Sequence, residues 1–320
     1  MKISIATPAA ASSRTGNRHT AQRYAAFLRG AGHDVRVATA WEGAPCDMLI
    51  ALHAGKSHAS IVRYRSAFPG KPLIVVLTGT DLYRDIHTNA NAQASLDMAT
   101  RLIVLQDRGR AGVPLRLRPK VRVVFQSADV SGPIAPPRGK FRLAVVGHLR
   151  DEKDPFRTAY AVRELPDQPD LEVIHLGDAL SPDMSEEARR LMQADARYRW
   201  LGGVPHGRAL GWVRRCNALV VSSRMEGGAN VICEAARIGI PVLASRIPGN
   251  IGMLGRGYPG YYPLADTHAL AKLIARASQD SAFYRRLKRG LAARRPLFSP
   301  SAERRGLLAV VRESARLGNL

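Results

Sequence analysis

The sequence contains few cysteines and no long apolar run. Its three cysteines, Cys46, Cys216 and Cys233, are far apart and form no C-x-x-C pair. We therefore expect neither a disulfide framework nor a cysteine-based zinc site, and a reducing cytoplasm is the expected compartment. No run of about 18 apolar residues is present, so no membrane-spanning helix is predicted. The first residues reach Pro8 with too short an apolar stretch for a secretory signal.

Acidic and aromatic residues are also scarce. Lys and Arg total 48 against 26 for Asp and Glu, which gives the chain a net charge of +22. Such an excess indicates anionic surroundings or ligands, namely nucleic acid, a membrane surface or phosphorylated small molecules, and charge alone does not choose among them. Aromatic residues make up only 6%, which leaves few side chains to stack on single-stranded nucleic acid. We therefore expect no nucleic acid partner.

The 320 residues are 46% hydrophobic, which is enough for two domains of ordinary size. Short runs rich in Val, Ile and Leu alternate with segments of helical spacing. This alternation is typical of βαβ units around a parallel sheet that is buried on both faces. The predicted strands are Ile3–Ala6, Val35–Ala38, Met48–Leu52, Leu73–Leu77, Leu102–Leu105, Val121–Phe125, Leu143–Val146, Leu171–Leu176, Ala218–Val221 and Pro241–Leu243.

A proline- and glycine-rich segment, S-G-P-I-A-P-P-R-G-K at 131–140, interrupts this pattern and indicates a linker. The sequence therefore predicts an α/β protein of two doubly wound parallel-sheet domains, 1–133 and 134–299. Residues 300–320 are predicted to form a C-terminal helix that packs back on the first domain. Ligands of such folds bind at the carboxyl ends of the strands, so candidate residues are sought there.

The first candidate site follows a strand of the second half, in V-V-G-H-L-R-D-E-K-D-P at 145–155. Gly147 opens the turn, and Arg150 and Lys153 follow at three-residue spacing. Two cations just past the end of a strand can converge on a diphosphate, Arg with a fork of donors and Lys with a point charge. The alternative is a solvated loop in which these cations pair with the acidic residues among 151–154.

The second candidate site is S-R-M-E-G-G-A-N-V-I-C-E at 223–234. Gly227 and Gly228 let a ligand approach the backbone, and a helix is predicted to start near Ala229 or Asn230, where free N–H groups favour phosphate oxygens. Glu234 lies more than a turn into that helix and can accept hydrogen bonds from a ribose diol. In the alternative interpretation Glu226 only interacts with the helix dipole, and Glu234 pairs with Arg237 on the surface.

Together these motifs resemble the C-terminal domain of retaining GT-B glycosyltransferases of the family 4 type. The matching elements are Gly147 with Lys153, then Glu226 with Glu234, then A-A-R-I-G-I-P-V-L-A at 235–244. The resemblance implies a GT-B fold, in which two Rossmann-like domains face each other across a cleft.

The resemblance also implies a role for each matching residue. Arg150 and Lys153 would contact the diphosphate and stabilise the leaving UDP, and Glu226 would bind sugar hydroxyls. Glu234 would hold the ribose. The backbone of the intervening residues, Gly227, Gly228, Ala229 and Asn230, would lie against sugar and phosphate. The family usually has an aromatic residue between two glycines after the first Glu, and its absence here leaves the identity of the sugar open.

A mostly cationic and polar set of residues, with one glycine, follows the strands of the first half, where the resemblance places the acceptor. They are Arg14, Gly16, Asn17, Arg18, His19, His53, Lys56 and Thr80. This set suits a small phosphorylated acceptor. With the start M-K-I-S-I-A-T-P, the H-A-x-K-S segment and S-R-M-E-G-G-A-N, it resembles the selenosugar synthase branch of the family. That branch implies UDP-GlcNAc or UDP-Glc as donor, selenophosphate as acceptor, and a 1-seleno-sugar for selenoneine biosynthesis as product.

The sequence predicts no metal or other cofactor, because it contains no D-x-D motif of the kind that metal-dependent transferases use. Two other interpretations remain open. One is a GT-B enzyme with a sugar or lipid acceptor at a membrane surface. The other is a basic nucleic-acid-binding or membrane-binding protein without catalysis. Both depend on the basic segment 284–296, whose Phe and Leu neighbours could let a helix lie on a membrane. A charge run of this kind is more often a solvated helix face.

Overall fold

The computed structural model describes residues 1–8, 16–130, 132–136 and 138–318. The chain divides into two compact units. The first comprises residues 1–126 and 300–320, and the second comprises 127–299. The division therefore falls between Gln126 and Ser127, whereas the sequence predicts it between 133 and 134. The last segment, 300–320, belongs to the first unit.

The first unit contains a six-stranded parallel sheet with the order β2-β1-β3-β4-β5-β6. Its strands are β1 (Lys2–Ala6), β2 (Asp34–Ala38), β3 (Met48–Leu52), β4 (Leu73–Leu77), β5 (Arg101–Val104) and β6 (Val121–Val123). Its helices before the second unit are α1 (Gly16–Arg29), α2 (His58–Ala67), α3 (Ile86–Thr88), α4 (Ala90–Met98) and α5 (Gly109–Gly112). A π-helical turn at Asp81–Asp85 and a 3₁₀ helix at Leu115–Lys120 complete this part.

The second unit contains another six-stranded parallel sheet, with the order β12-β11-β10-β7-β8-β9. Its strands are β7 (Phe141–Val146), β8 (Leu171–Leu176), β9 (Tyr198–Trp200), β10 (Ala218–Val221), β11 (Val242–Ser245) and β12 (Tyr261–Tyr262). Its helices are α6 (Arg157–Arg163), α7 (Pro182–Ala194), α8 (His206–Val213), α9 (Asn230–Ile238), α10 (Pro248–Leu254), α11 (Thr267–Gln279) and α12 (Ser281–Arg294). Short 3₁₀ helices lie at Asp151–Lys153 and Arg295–Phe298.

Every apolar run predicted as a strand overlaps a strand, with bounds that differ by at most two residues, and the predicted α/β architecture with two parallel sheets is confirmed. The central strands are apolar throughout because both of their faces are buried. In β3, Met48 and Ile50 pack with α1 against one face, whereas Leu49 and Ala51 pack with α2 and α4 against the other. The sequence missed β9 and β12, which have three and two residues and lie at opposite edges of their sheet.

The last helix, α13 (Pro300–Leu317), is bound to the first unit by apolar packing and by three buried or half-buried ion pairs. Glu303 is 1% exposed, and Arg23 of α1 donates to both of its carboxylate oxygens at 3.0 and 3.3 Å. Glu313 accepts from Arg101 of β5 and Arg122 of β6, both at 2.9 Å. These pairs fix α13 across the sheet from α1 to the edge strand.

The basic helix α12 has its apolar side inside the second unit. Phe283, Leu287 and Leu291 are buried, whereas the basic residues among 285–289 are exposed. The apolar side is therefore not available for insertion into a membrane, which corrects that part of the sequence-based interpretation. None of the helices described above combines the length and the apolar composition that a membrane span requires.

Burial decides the chemistry of the cysteines. Cys46, Cys216 and Cys233 are all buried, and burial raises the pKa of the Cys216 thiol to about 12. Burial also raises the pKa of the Cys46 thiol. Cys46 and Cys216 therefore stay protonated at neutral pH and act as small apolar residues of the core.

The ion pairs of Glu313 predict a specific acid sensitivity. Its hydrogen bonds from Arg122 and Arg101 lower its pKa from 4.5 to about 2. The folded state therefore binds this proton less readily than the unfolded chain, and the stabilisation is complete above about pH 4.5 and is lost as the pH falls towards 2. The melting temperature of Glu313→Gln should lie below that of the parent at neutral pH, and the gap should narrow as the pH is lowered through this window.

Glu186→Gln is the control, because Glu186 is exposed and no ion pair of it is shown within the described ranges. A gap between Glu313→Gln and the parent that stays constant down to the lowest pH tested would contradict the assignment.

Candidate functional site

Two loops at the carboxyl edge of the second sheet are hydrogen-bonded to each other. One follows β7 and the other follows β10, and these strands are neighbours. The backbone N–H of Arg224 donates to the carbonyl of Glu152 at 2.9 Å. The hydroxyl of Ser222 donates to the carbonyl of Asp154 at 2.8 Å. The parallel sheet therefore brings together the two motifs that the sequence singled out, although 73 residues separate Lys153 from Glu226.

Lys153 and Glu226 form an ion pair between these loops. Lys153 Nζ donates to Glu226 Oε1 at 2.5 Å, and Ser223 Oγ donates to the same oxygen at 2.6 Å. Glu226 is only 8% exposed, so its charge needs these two donors to offset the loss of hydration. Its other oxygen, Oε2, has no partner shown among the described residues. The pairing differs from the alternative in which Lys153 only meets acidic residues of its own loop.

A small pocket lies beside this ion pair. Lys153, Glu226 and Ser223 line it together with Gly147, His175 and Val231. His175 of β8 is 1% exposed, and burial lowers its pKa to about 3. Its Nδ1 lies 2.8 Å from the hydroxyl of Tyr198. His175 is therefore a neutral imidazole at the base of a pocket whose charged residues are Lys153 and Glu226.

Two close backbone approaches support the pocket. A Cβ atom on Gly177, at the end of β8, would lie 1.9 Å from the carbonyl oxygen of Gly147. A Cβ atom on Gly249, in the first turn of α10, would lie 1.9 Å from the carbonyl oxygen of Glu226. Only glycine allows the backbone to approach this closely. Both loops are therefore packed against backbone that leaves no room for another side chain.

Helix α9 begins at Asn230, as predicted, and Ala229 precedes it without a side-chain cap. Its first N–H groups thus lack a side-chain acceptor and carry the positive end of the helix dipole. Gly227 and Ala229 are buried, and Gly228 is half-buried. The backbone from 227 to 230, which the sequence proposed as a ligand surface, therefore leads directly from Glu226 into the start of α9.

Glu234 has a different partner from the one that the surface alternative predicted. It is 8% exposed and pairs with His206, the first residue of α8, rather than with Arg237. His206 Nε2 lies 2.8 Å from Glu234 Oε1. The two glutamates are thus separated: Glu226 interacts with Lys153 and Ser223, and Glu234 with His206.

Arg150 is not drawn into this cluster. Its side chain is 44% exposed, and its Nε lies 4.0 Å from Glu152 Oε2, which is a weak pair at the surface. The next acidic residue, Asp154, accepts from Arg157 at 2.9 Å instead. Arg150 therefore stays at the rim of the loop as an exposed cation, whereas Lys153 reaches the pocket.

In the first unit, a buried aspartate joins the ends of two strands. Asp81 is fully buried, and its carboxylate accepts from the backbone N–H groups of Thr78 at 2.8 Å, Gly79 at 2.9 Å and Ala54 at 3.1 Å. Ala54 follows β3, and the other two residues follow β4. This carboxylate therefore fixes the loops after neighbouring strands, where the candidate residues His53 and Thr80 lie.

His53 has a strained backbone and both ring nitrogens engaged. Its φ is 71°, which is unusual for any residue other than glycine and which is often found at functional sites. Its Nδ1 accepts from the backbone N–H of Lys56 at 3.3 Å, so the neutral ring carries its proton on Nε2. Nε2 lies 3.2 Å from Thr80 Oγ1 and 3.6 Å from Asp85 Oδ2. The structure therefore brings His53 and Thr80 together.

The other predicted acceptor residues are only partly described. Arg14 lies outside the described residues. Gly16, Asn17, Arg18 and His19 form the start of α1, at the carboxyl edge of β1. The side chain of Lys56 is exposed. Within the described ranges, no three His, Cys, Asp or Glu side chains are grouped so that they could hold a metal ion.

Sequence reasoning missed several residues of these clusters. Ser223 stands three residues before Glu226, which is a spacing that would have suggested a hydrogen bond. Asp81 likewise stands two and three residues after its partners Gly79 and Thr78, a local spacing that would have suggested those bonds. His175, His206 and Asp85 carry no such signal, because their partners come from other strands, helices and loops.

Known structures share this fold. Sucrose-phosphate synthase from Thermosynechococcus elongatus superposes with a TM-score of 0.78 at 18% identity, over 98% of each chain. Alr3699/HepE from Anabaena, in complex with UDP and glucose, superposes with a TM-score of 0.73 at 15% identity, over 97% of this chain and 99% of that one. A glycosyltransferase from Rickettsia africae gives a TM-score of 0.73 at 12% identity. The fold is therefore that of the GT-B glycosyltransferases.

A family model described as glycosyl transferases group 1 matches residues 129–293, which include Lys153, Glu226 and Glu234. The chain belongs to this glycosyltransferase family, and the interpretation as a basic binding protein without catalysis no longer applies.

The contact between Gly249 and the Glu226 loop predicts a stability effect. Gly249→Ala adds a methyl group 1.9 Å from the carbonyl oxygen of Glu226, so α10 or the loop must move. We expect a loss of about 1–3 kcal/mol in the free energy of unfolding, measured by chemical denaturation. Gly257→Ala is the matched control, since a Cβ there meets nothing within 4 Å. Equal stability of the two variants would contradict the packing described.

Proposed function

We propose that this glycosyltransferase moves GlcNAc or Glc from a UDP-sugar to selenophosphate and forms a 1-seleno-sugar. The observation that carries the donor half is the Lys153–Glu226 pair beside the uncapped start of α9, with Glu234 held apart from it. The acceptor half rests on the cationic residues of the first unit and on the resemblance of the sequence to selenosugar synthases. The cytoplasm is the compartment we expect, in keeping with three buried cysteines.

The donor would be bound by the second unit. The N–H groups at the start of α9 and the side chain of Lys153 would take the diphosphate, and the exposed Arg150 would approach it from the rim. Glu226 would offer Oε2 to sugar hydroxyls while Oε1 stays with Lys153 and Ser223. Glu234 would hold the ribose. UDP as the nucleotide follows the Anabaena relative, which was crystallised with UDP-glucose.

The chemistry would depend on charge stabilisation. The selenium of selenophosphate gives an electron pair to form a bond with the anomeric carbon. The bond from that carbon to the diphosphate oxygen breaks, its electron pair leaves with UDP, and Lys153 with the α9 dipole stabilises the charge. No metal is needed in this proposal because these groups supply the positive charge. An ammonium group has three donors, so Lys153 could keep its bond to Glu226 while it donates to the diphosphate.

The acceptor would be oriented by the first unit. Selenophosphate is already anionic, so a strong general base is not needed, and cations that position it matter more. Because His53 donates from Nε2 towards Thr80 and Asp85, we assign it to orienting Thr80 rather than to accepting a proton. Of the two histidines at the predicted acceptor site, we assign His19 to assist the later loss of phosphate, in which water breaks the selenium–phosphorus bond. Lys56 and Arg18, with Asn17 and Gly16 at the start of α1, would complete the acceptor site.

A second candidate function is transfer to a sugar or lipid acceptor at a membrane surface. It is favoured by the exposed basic residues of α12, which could be attracted to anionic lipid headgroups. Since the apolar side of α12 is buried, such contact would be electrostatic only and would disappear at high salt.

Two substitutions separate donor binding from catalysis. Glu234→Ala should raise the KM for UDP-GlcNAc roughly 10–100-fold with a smaller change in kcat, because hydrogen bonds to a charged group are lost in ground and transition state alike. Lys153→Ala should lower kcat by about 10²–10³-fold, because charge on the leaving group is no longer stabilised. Steady-state kinetics with selenophosphate measure both. Lys272→Ala, an exposed lysine of α11, is the control. Unchanged kinetics in both variants would overturn the donor site.

A turnover screen decides the acceptor. The enzyme is incubated with UDP-GlcNAc or UDP-Glc and with selenophosphate, thiophosphate, phosphate, a simple sugar or anionic vesicles, with and without EDTA. We expect UDP release and a seleno-sugar with selenophosphate, equally with EDTA present. If turnover occurs only with sugars or vesicles, selenophosphate is not the acceptor and the second candidate function is supported. If EDTA abolishes activity, the enzyme depends on a metal, which contradicts the proposal.

A further inference from the structure

The partner of Glu234 comes from another helix and was not expected from the sequence. We propose that His206 is a positioning residue of the donor site, which holds the Glu234 carboxylate so that the site prefers a ribonucleoside diphosphate to its 2′-deoxy analogue. This inference rests on the proposed function, in which Glu234 binds the ribose of the donor. His206 itself has no role in that proposal.

The geometry assigns the proton between the two side chains. An ionised carboxylate can only accept, so the contact of 2.8 Å between His206 Nε2 and Glu234 Oε1 requires the proton on Nε2. Each carboxylate oxygen has two lone-pair directions. His206 takes one of the two on Oε1, and no partner of Oε2 is shown within the described ranges. Glu234 therefore keeps enough acceptor capacity for two adjacent hydroxyls.

Burial indicates why such a partner is needed. The Glu234 side chain is 11% exposed, whereas the His206 side chain is 53% exposed. A carboxylate that is nearly buried without a donor would lose hydration without compensation. The imidazole stands nearer to solvent and supplies the one donor that the structure shows to this carboxylate within the described ranges. Since α8 and α9 are separate helices, the contact also fixes Glu234 against a second element.

A fixed orientation of the Glu234 carboxylate should make the site selective for ribose over 2′-deoxyribose. A ribose offers two adjacent O–H donors, and a carboxylate in a single orientation can accept both. A 2′-deoxyribose lacks one of them and leaves a lone pair of a nearly buried carboxylate without a partner, which is costly. If Glu234 could rotate freely, it would turn to solvent and lose this discrimination. His206 therefore acts through Glu234, on affinity and selectivity rather than on the chemical step.

The test measures the dissociation constants of UDP and 2′-deoxy-UDP by calorimetry for the parent and for variants at position 206. The parent should prefer UDP by roughly 10–100-fold, the range expected for a hydrogen bond to a charged group. His206→Ala should bind UDP about tenfold more weakly and lose most of the preference. His206→Gln can still place an N–H near Oε1, so it should keep most of the affinity for UDP and most of the preference over 2′-deoxy-UDP. The side chain of His206→Asn is shorter, and this variant should behave like His206→Ala. In turnover, the alanine variant should change KM and spare kcat.

His268→Ala is the matched control, because His268 forms another imidazole–carboxylate pair of the same unit, 3.0 Å from Glu164. It should leave both dissociation constants unchanged. Melting temperatures show whether each variant folds. If His206→Ala does not fold, the comparison of His206→Gln with His206→Asn still decides the question.

Two further outcomes separate this inference from the proposed function. If Glu234→Ala abolishes the preference for UDP while His206→Ala and His206→Asn keep it, the role of His206 is wrong and the donor site stands. If Glu234→Ala also binds UDP normally, the ribose assignment fails, and the role of His206 fails with it.

Discussion

The ion pair of Lys153 and Glu226 is the interaction on which the site of the second unit depends. A nearly buried carboxylate is unfavourable unless donors reach it, and here the donors come from the loop after β7 and from Ser223. Those loops meet because β7 and β10 are neighbours in a parallel sheet. The close approach of Gly249 then holds the Glu226 backbone from the other side. Fold and site are thus stabilised by the same contacts.

The first unit also contains a buried carboxylate, Asp81, that is stabilised by donors from the loops after neighbouring strands. Asp81 accepts three backbone N–H groups after β3 and β4, and this rigid junction can hold His53 at a φ of 71°. In both units a buried acid organises loops at the carboxyl edge of the sheet. In both, a histidine is set by a neighbour: His53 by the backbone of Lys56, and His206 by Glu234.

The sheets could be predicted almost completely. Central strands of a parallel sheet are apolar throughout, so runs such as Met48–Leu52 and Leu73–Leu77 can be recognised as strands from the sequence. Strands β9 and β12 could not be predicted, because edge strands of three and two residues contain too few buried positions to form a recognisable pattern. The two compact units divide seven residues before the predicted linker boundary, since prolines and glycines mark irregular backbone and do not show which sheet a segment packs against.

The sequence alone determined which residue types follow which strands: Lys153 and Glu226 in the loops, the glycines after Glu226, and Glu234 in the helix that comes next. It therefore determined the fold and the family. Only the tertiary structure decided the partners. His206 meets Glu234 across 28 residues, and Lys153 meets Glu226 across 73. Such pairs depend on strand order and on the path of loops. Local propensity and spacing describe one element at a time, so they do not specify which side chains of two elements meet.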